Sequence, residues 1–139
     1  MIFIKTLIYK LLNKQISKIY SKRFDNYNNT PKGVFWNSKL SQDLRLNIIL
    51  DKILQNTKNE KSSIADIGCG YGRLYEIMKE RNLDNKFQYY GFDINQNLIN
   101  FCKNNKDFEN GKFAISQTPF IMTDYVVMVF QISHEMCLR

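Results

Sequence analysis

Residues 62–74 read Ser62, Ser63, Ile64, Ala65, Asp66, Ile67, Gly68, Cys69, Gly70, Tyr71, Gly72, Arg73, Leu74. A short apolar run ends in an acid, breaks into three alternate glycines and restarts at helical spacing. Glycine tolerates positive φ and lets a backbone come close to a ligand. A helix N-terminus that follows such a loop offers unpaired N–H groups to it. The stretch therefore predicts a buried strand over residues 63–67, a tight loop and a helix over residues 73–82, with a nucleotide-like molecule bound at the loop.

The remainder of the chain fits around that unit. Residues 2–20 place Phe3, Leu7, Ile8, Leu11, Leu12, Ile16, Ile19 and Tyr20 at near-helical spacing with lysines between them. Such a helix either packs over the ligand site or lies on a membrane surface, and packing is the preferred reading. Residues 25–33 form a loop by their turn residues. Ser38 and Ser41 are helix caps. The buried stripe of the helix they open is Leu40, Leu44 and Ile48, or Leu46, Ile49, Leu50 and Ile53. Phe87, Gln88, Tyr89, Tyr90, Gly91, Phe92 and Asp93 make a second strand that also ends in an acid. Asn95 caps a third helix with Leu98, Ile99 and Phe101 inside. Residues 112–115 and 125–130 complete the strands. Alternation of β and α implies a parallel sheet with right-handed crossovers.

Asp66 and Asp93 end the first and second strands, on the edge where open α/β sheets bind ligands. Asp93 follows Gly72 by 21 residues, close to the offset of about 20 expected for an acid that accepts from ribose hydroxyls. A dinucleotide loop needs a glycine three places after its second one, where Arg73 stands instead. A nicotinamide-dependent oxidoreductase is disfavoured on that ground. No Lys-Ser or Lys-Thr pair follows, so a triphosphate loop is excluded.

Ile64 to Gly72 resembles the first motif of the class I S-adenosylmethionine-dependent methyltransferases. Tyr90, Gly91, Phe92, Asp93 and Ile94 resemble the second. Thr123, Asp124, Tyr125, Val126 and Val127 resemble, more loosely, the entry to the fourth strand. The resemblance spans residues 64–130. It implies an α/β, Rossmann-like, doubly wound and mostly parallel sheet, here with about four strands and with helices N-terminal to it. The expected division is a basic helix and loop over 1–33 and a partial S-adenosylmethionine-binding domain over 34–139. By the same resemblance Gly68, Gly70 and Gly72, with Cys69 between them, pass beneath the cofactor's methionine portion. Asp66 holds the loop or meets the amino group, Asp93 holds the ribose, and Ile94 packs on adenine. Ser116 and Gln117 stand where the family often places an acid near the adenine amine. The Asn-Pro-Pro-Tyr motif of amino-group methylating members is absent. Phe35 and Trp36 occupy the place of substrate-covering elements.

These features imply a methyltransferase for an unidentified small-molecule acceptor. The alternatives are a non-catalytic cofactor-binding remnant or half of a split enzyme. No catalytic residue is assigned. His134, the only histidine, follows the fourth strand in a segment without a recognisable pattern. The family's sheet has seven strands, so the chain reads as C-terminally truncated or frameshifted, with residues 131–139 off-frame.

The net charge of +7 does not point to nucleic acid. Residues 1–23 hold six of the 20 basic side chains and no acid, which leaves 14 against 13 acids elsewhere, net +1. Cys69, Cys102 and Cys137 are odd in number and lack metal-ligand spacing, which suits a reducing cytoplasm and implies no metal site. Lys5 and Lys10 interrupt the N-terminal apolar run, so it is neither a signal peptide nor a membrane span.

Overall fold

A computed structural model describes residues 2–129. Residues 130–139, with Phe130, His134 and Cys137, lie outside the described residues. The elements are α1 (Ile2–Tyr27), a 3-10 turn (Pro31–Val34), α2 (Lys39–Asn56), β1 (Ser62–Ile67), α3 (Arg73–Glu80), β2 (Phe87–Asp93), α4 (Gln96–Asn104), a second 3-10 turn (Lys106–Phe108), β3 (Lys112–Ile115) and β4 (Tyr125–Met128). The sheet has the order β3-β2-β1-β4, and all three pairings are parallel. Sequence order runs outward from β1 to β3 and then returns to β1's other side for β4. The order therefore reverses beside β1, and a ligand crevice belongs there.

Side chains alternate across the pleat. Ile64 and Asp66 of β1, Phe87 and Tyr89 of β2, Phe113 and Val127 are all buried, and the apolar members pack with Leu74, Ile77 and Met78 of α3 and Ile99 of α4 in one core. Tyr75 stands at the centre of an aromatic group, 4.9 Å from the Tyr89 ring and 5.3 Å from Phe108. On the opposite face Phe92 meets Phe120 edge-on at 5.1 Å, while Val126 and Met128 are exposed.

α2 begins where expected, because the Ser38 hydroxyl accepts from the Ser41 amide at 3.1 Å. Of its two possible stripes, the core selects Leu46, Leu50 and Ile53 and leaves Leu40, Leu44 and Ile48 exposed. Other boundaries moved. α1 continues through Asp25 and Asn26 to Tyr27, residues expected in a loop. Its last turns are fixed by packing, since Phe24 stacks edge-on against Phe101 at 5.5 Å. The helix stops at Asn28, whose φ of 51° is left-handed and whose amide donates to the Phe24 carbonyl at 2.6 Å. α3 ends two residues early, at Glu80, because Asn82 also takes a left-handed φ of 56°. Phe35 and Trp36 lie between the 3-10 turn and α2. Phe35 has a φ of 65° just past the 3-10 turn, and both aromatic rings are buried.

Candidate functional site

The β1–α3 loop is held by the strand beside it. The amides of Gly68 and Cys69 both donate to the Phe92 carbonyl, at 2.7 and 3.0 Å. The Gly72 amide donates to the Cys69 carbonyl at 3.0 Å. Gly68, Gly70 and Gly72 have φ values of 76°, 58° and 86°. L-residues with a Cβ adopt this region at a cost. Two different constraints act on these positions. A Cβ on Gly72 would sit 2.5 Å from the Phe108 ring, whereas a Cβ on Gly68 would meet nothing within 4 Å. Gly72 is needed for packing; Gly68 keeps an open surface clear.

That surface belongs to a cavity of about 360 Å³ at the carboxyl edge of the sheet. Gly68, Cys69, Gly70, Asp93, Ile94 and Ser116 all line it. The topology thus brings six of the eight expected site residues to one place. Gly72 does not line it and serves α3 as the N-cap. Asp66 does not line it either. Its carboxyl is buried behind the loop and accepts from the Tyr89 hydroxyl at 2.6 Å. Burial raises the Asp66 pKa to about 7, against the lowering effect of that hydrogen bond.

Backbone donors set Asp93: the Gly70 amide donates to Oδ2 at 3.0 Å, the Asn95 amide to Oδ1 at 2.8 Å, and Ile94 adds a further backbone hydrogen bond. Burial raises its pKa, and these amides oppose the rise. Ser116 lies beside it because its amide donates to the Asp93 carbonyl at 3.0 Å, while its hydroxyl donates to the Thr118 carbonyl at 2.6 Å. The Cys69 thiol, hydrogen-bonded with Cys102 and buried, has its pKa pushed well up. Both sulfurs are free thiols. Among the described residues no group of three or more His, Cys, Asp or Glu side chains is placed to hold a metal ion.

Several lining residues were not singled out from the sequence as site residues. Ile16 and Tyr20 come from α1, Val34 from the 3-10 turn, and Met128 and Val129 from the end of β4. Tyr20 packs edge-on against Phe35 at 5.0 Å. Burial raises its hydroxyl pKa, and the Asp93 charge adds to the rise. Gln42 of α2 accepts from the Tyr71 hydroxyl at 2.6 Å. Burial pushes that hydroxyl up to about 12. Trp36, read as a possible cover, is part of the wall. Arg73 is turned to another use: it donates to both Asp43 oxygens at 2.7 and 2.8 Å and to Glu76 and Glu80. The residue that replaces the dinucleotide glycine clamps α3 to α2.

One residue joins α1 to this site. Asn95, fully buried, caps α4 by accepting from the Leu98 amide at 3.1 Å. Its side-chain amide donates to the Ser17 carbonyl at 2.7 Å and the Ser21 hydroxyl at 2.9 Å.

The family model for the methyltransferase domain matches residues 58–124, from just before β1 to the approach to β4. That stretch, just under half of the chain, is similar to a methyltransferase domain. Comparison with curated proteins gives no match. Among solved structures, the plantazolicin methyltransferase BpumL, determined with a pentazolic desmethylPZN analog and SAH, is 19% identical with a TM-score of 0.53. That match covers 80% of this chain and 40% of BpumL. Bacillus subtilis YcgJ is 18% identical with a TM-score of 0.46, over 60% of this chain and 36% of its own. The chain thus spans less than half the length of either structure. The similarity to BpumL supports the fold, an all-parallel α/β sheet of Rossmann-like type.

The cavity's residues suit a nucleoside ligand. The empty space at the Gly68 Cβ position admits a ligand against the backbone. Asp93 presents a hydrogen-bond acceptor in the cavity wall. Ile94 supplies an apolar side chain in the same wall.

Proposed function

We propose that the chain is an S-adenosylmethionine-dependent methyltransferase for a small-molecule acceptor, and that the cavity at the β1–β4 reversal holds the cofactor. The observation that carries this reading is the convergence of Gly68, Gly70 and Asp93 on one cavity, with Asp93 held by the Gly70 and Asn95 amides. Gly68 gives the ligand access to the backbone. Asp93 accepts from the ribose hydroxyls, and Ile94 packs against the base. When bound, the cofactor supplies a methyl group activated by its positive sulfur. Placing an acceptor in line with such a group accounts for much of the rate in a transfer of this kind. Tyr20, Trp36 and Met128 form the part of the wall that would exclude water and orient the acceptor. Asp66 serves by supporting the loop from behind. The free, buried Cys69 and Cys102 thiols suit a cytoplasmic protein.

A second reading is favoured by one observation. The outer strand β4 exposes Val126 and Met128, whereas parallel sheets are ordinarily covered on both faces. In that reading the chain holds the cofactor while further polypeptide supplies the acceptor half.

Titration calorimetry with S-adenosylhomocysteine, with NAD as the control, tests the cofactor assignment. Saturable binding of the former alone, lost in Asp93→Ala, is expected. Binding of NAD in preference, or equal affinity in the variant, would sink it. Transfer of a labelled methyl group from S-adenosylmethionine to small acceptors then separates the two readings, because the second predicts binding without transfer.

A further inference from the structure

The two ends of α1 live in different surroundings. Ser17, Tyr20, Ser21 and Phe24 recur at helical spacing and make the contacts with Asn95, Phe35 and Phe101 described above. Among the described residues no such partner is found for the opposite side of the helix. Ile8, Leu11, Leu12 and Ile19 fall on it, one to three turns apart, and each is 50–55% exposed. Beside them Lys14, Lys18 and Lys22 follow one another at intervals of four, all exposed, so they form a single row along the helix. No helix among the described residues is long and apolar enough to cross a membrane. An aliphatic strip bordered by lysines is suited to lying along one, with the side chains in the acyl boundary and the ammonium groups at the headgroups.

We propose that α1 docks on an anionic lipid bilayer through this face. Charge decides the occupant. Residues 1–23 carry six cations and no acid, while the rest of the chain is nearly neutral, so the charge of this arm is not balanced elsewhere in the chain. A second copy would set lysines against lysines. A nucleic acid would match the lysines but leave the aliphatic strip in water. An anionic bilayer satisfies both halves of the face at once. Because Ile16 and Tyr20 of the same helix line the cavity, docking would bring the candidate site to the lipid surface.

The inference does not depend on the cofactor assignment and is tested without it. The full 139-residue chain is floated with vesicles of phosphatidylcholine and phosphatidylglycerol in equal parts, and with phosphatidylcholine alone. Flotation is expected with the anionic vesicles only, weakening as salt rises and the Debye length falls from about 10 Å at 0.1 M to about 3 Å at 1 M. Replacing Lys14, Lys18 and Lys22 by Gln should lower partitioning by roughly fivefold per lysine. Ile8→Ser with Leu12→Ser should remove it while leaving the thermal transition in place, since both positions are exposed. Absence of flotation, equal flotation with neutral vesicles, or wild-type behaviour of both variants would overturn the proposal. So would sedimentation as a dimer, or retention on polyuridylate, that depends on these residues.

Discussion

Asp66 makes stability depend on pH with a sign opposite to that of an ordinary paired carboxylate. Its carboxyl is buried, and the Asp93 charge adds to the cost of ionisation, while the hydrogen bond from the Tyr89 hydroxyl at 2.6 Å offsets part of it. Its pKa rises from 3.8 to about 7. Below pH 4 the proton is bound in the folded and the unfolded chain, and pH has no effect through this group. Between 4 and 7 the folded chain keeps the proton that the unfolded chain releases, so unfolding becomes steadily more favourable as pH rises. At about 1.36 kcal/mol per unit, the full difference above pH 7 is about 4 kcal/mol, of which roughly 2–3 kcal/mol falls between pH 5 and 8. That is a large part of the 5–15 kcal/mol typical of a domain.

Asp66→Asn keeps the shape and an oxygen for Tyr89 but cannot ionise. Urea unfolding of both chains at pH 5 and pH 8 is the assay. The wild type should lose roughly 2–3 kcal/mol more than the variant over that interval, and the variant should be the more stable at pH 8. Asp93, whose pKa is also raised, titrates with the same sign but remains in both chains, so the difference isolates Asp66. A gap between the two chains that does not change with pH, or a wild type that gains stability towards pH 8, would refute the reasoning.

The glycines should separate by what surrounds them. Gly72→Ala should cost about 2–4 kcal/mol in urea unfolding, from the left-handed φ plus the collision with Phe108. Gly68→Ala should cost only about 1 kcal/mol, yet weaken S-adenosylhomocysteine binding at least tenfold by calorimetry. Asn95→Asp retains the α4 cap but turns the donor facing Ser17 and Ser21 into an acceptor. α1 should then open more often, with tryptic cleavage after Lys14, Lys18 and Lys22 about tenfold faster. Arg73→Ala should lose about 1–3 kcal/mol, because Asp43 is only partly exposed while Glu76 and Glu80 are half in water; matched denaturation curves would show it.

Local chemistry made much of this fold legible. The strand–glycine–helix unit, the Asn95 and Ser38 caps and the strands at Phe87–Asp93 and Lys112–Ile115 are written in short-range preferences, and each stands where its residues placed it. What lay beyond reach depended on which face meets the core. Both stripes of α2 are equally apolar, and only the sheet decides between them. The contribution of Tyr20 to the cavity follows from the Asn95 contacts across 74 and 78 residues of sequence, a pairing that no periodicity encodes. Asp66 and Asp93 look alike in sequence, each the acid near a strand end. Their sequence contexts did not distinguish the pocket they face: Asp66 points under the loop toward Tyr89, and Asp93 into the cavity.

The central claim is that the cofactor lies against Gly68, Gly70 and Asp93. Two-dimensional amide NMR of the nitrogen-15 labelled chain, titrated with S-adenosylhomocysteine, addresses it residue by residue. The amides of Gly68, Cys69, Gly70, Ile94 and Asn95 should shift together and saturate, with those of Ser17 and Tyr20 following, while those of α2 facing β4 stay fixed. Shifts confined to the groove between Ile48 and Val126, or a spectrum unchanged at saturating ligand, would contradict it.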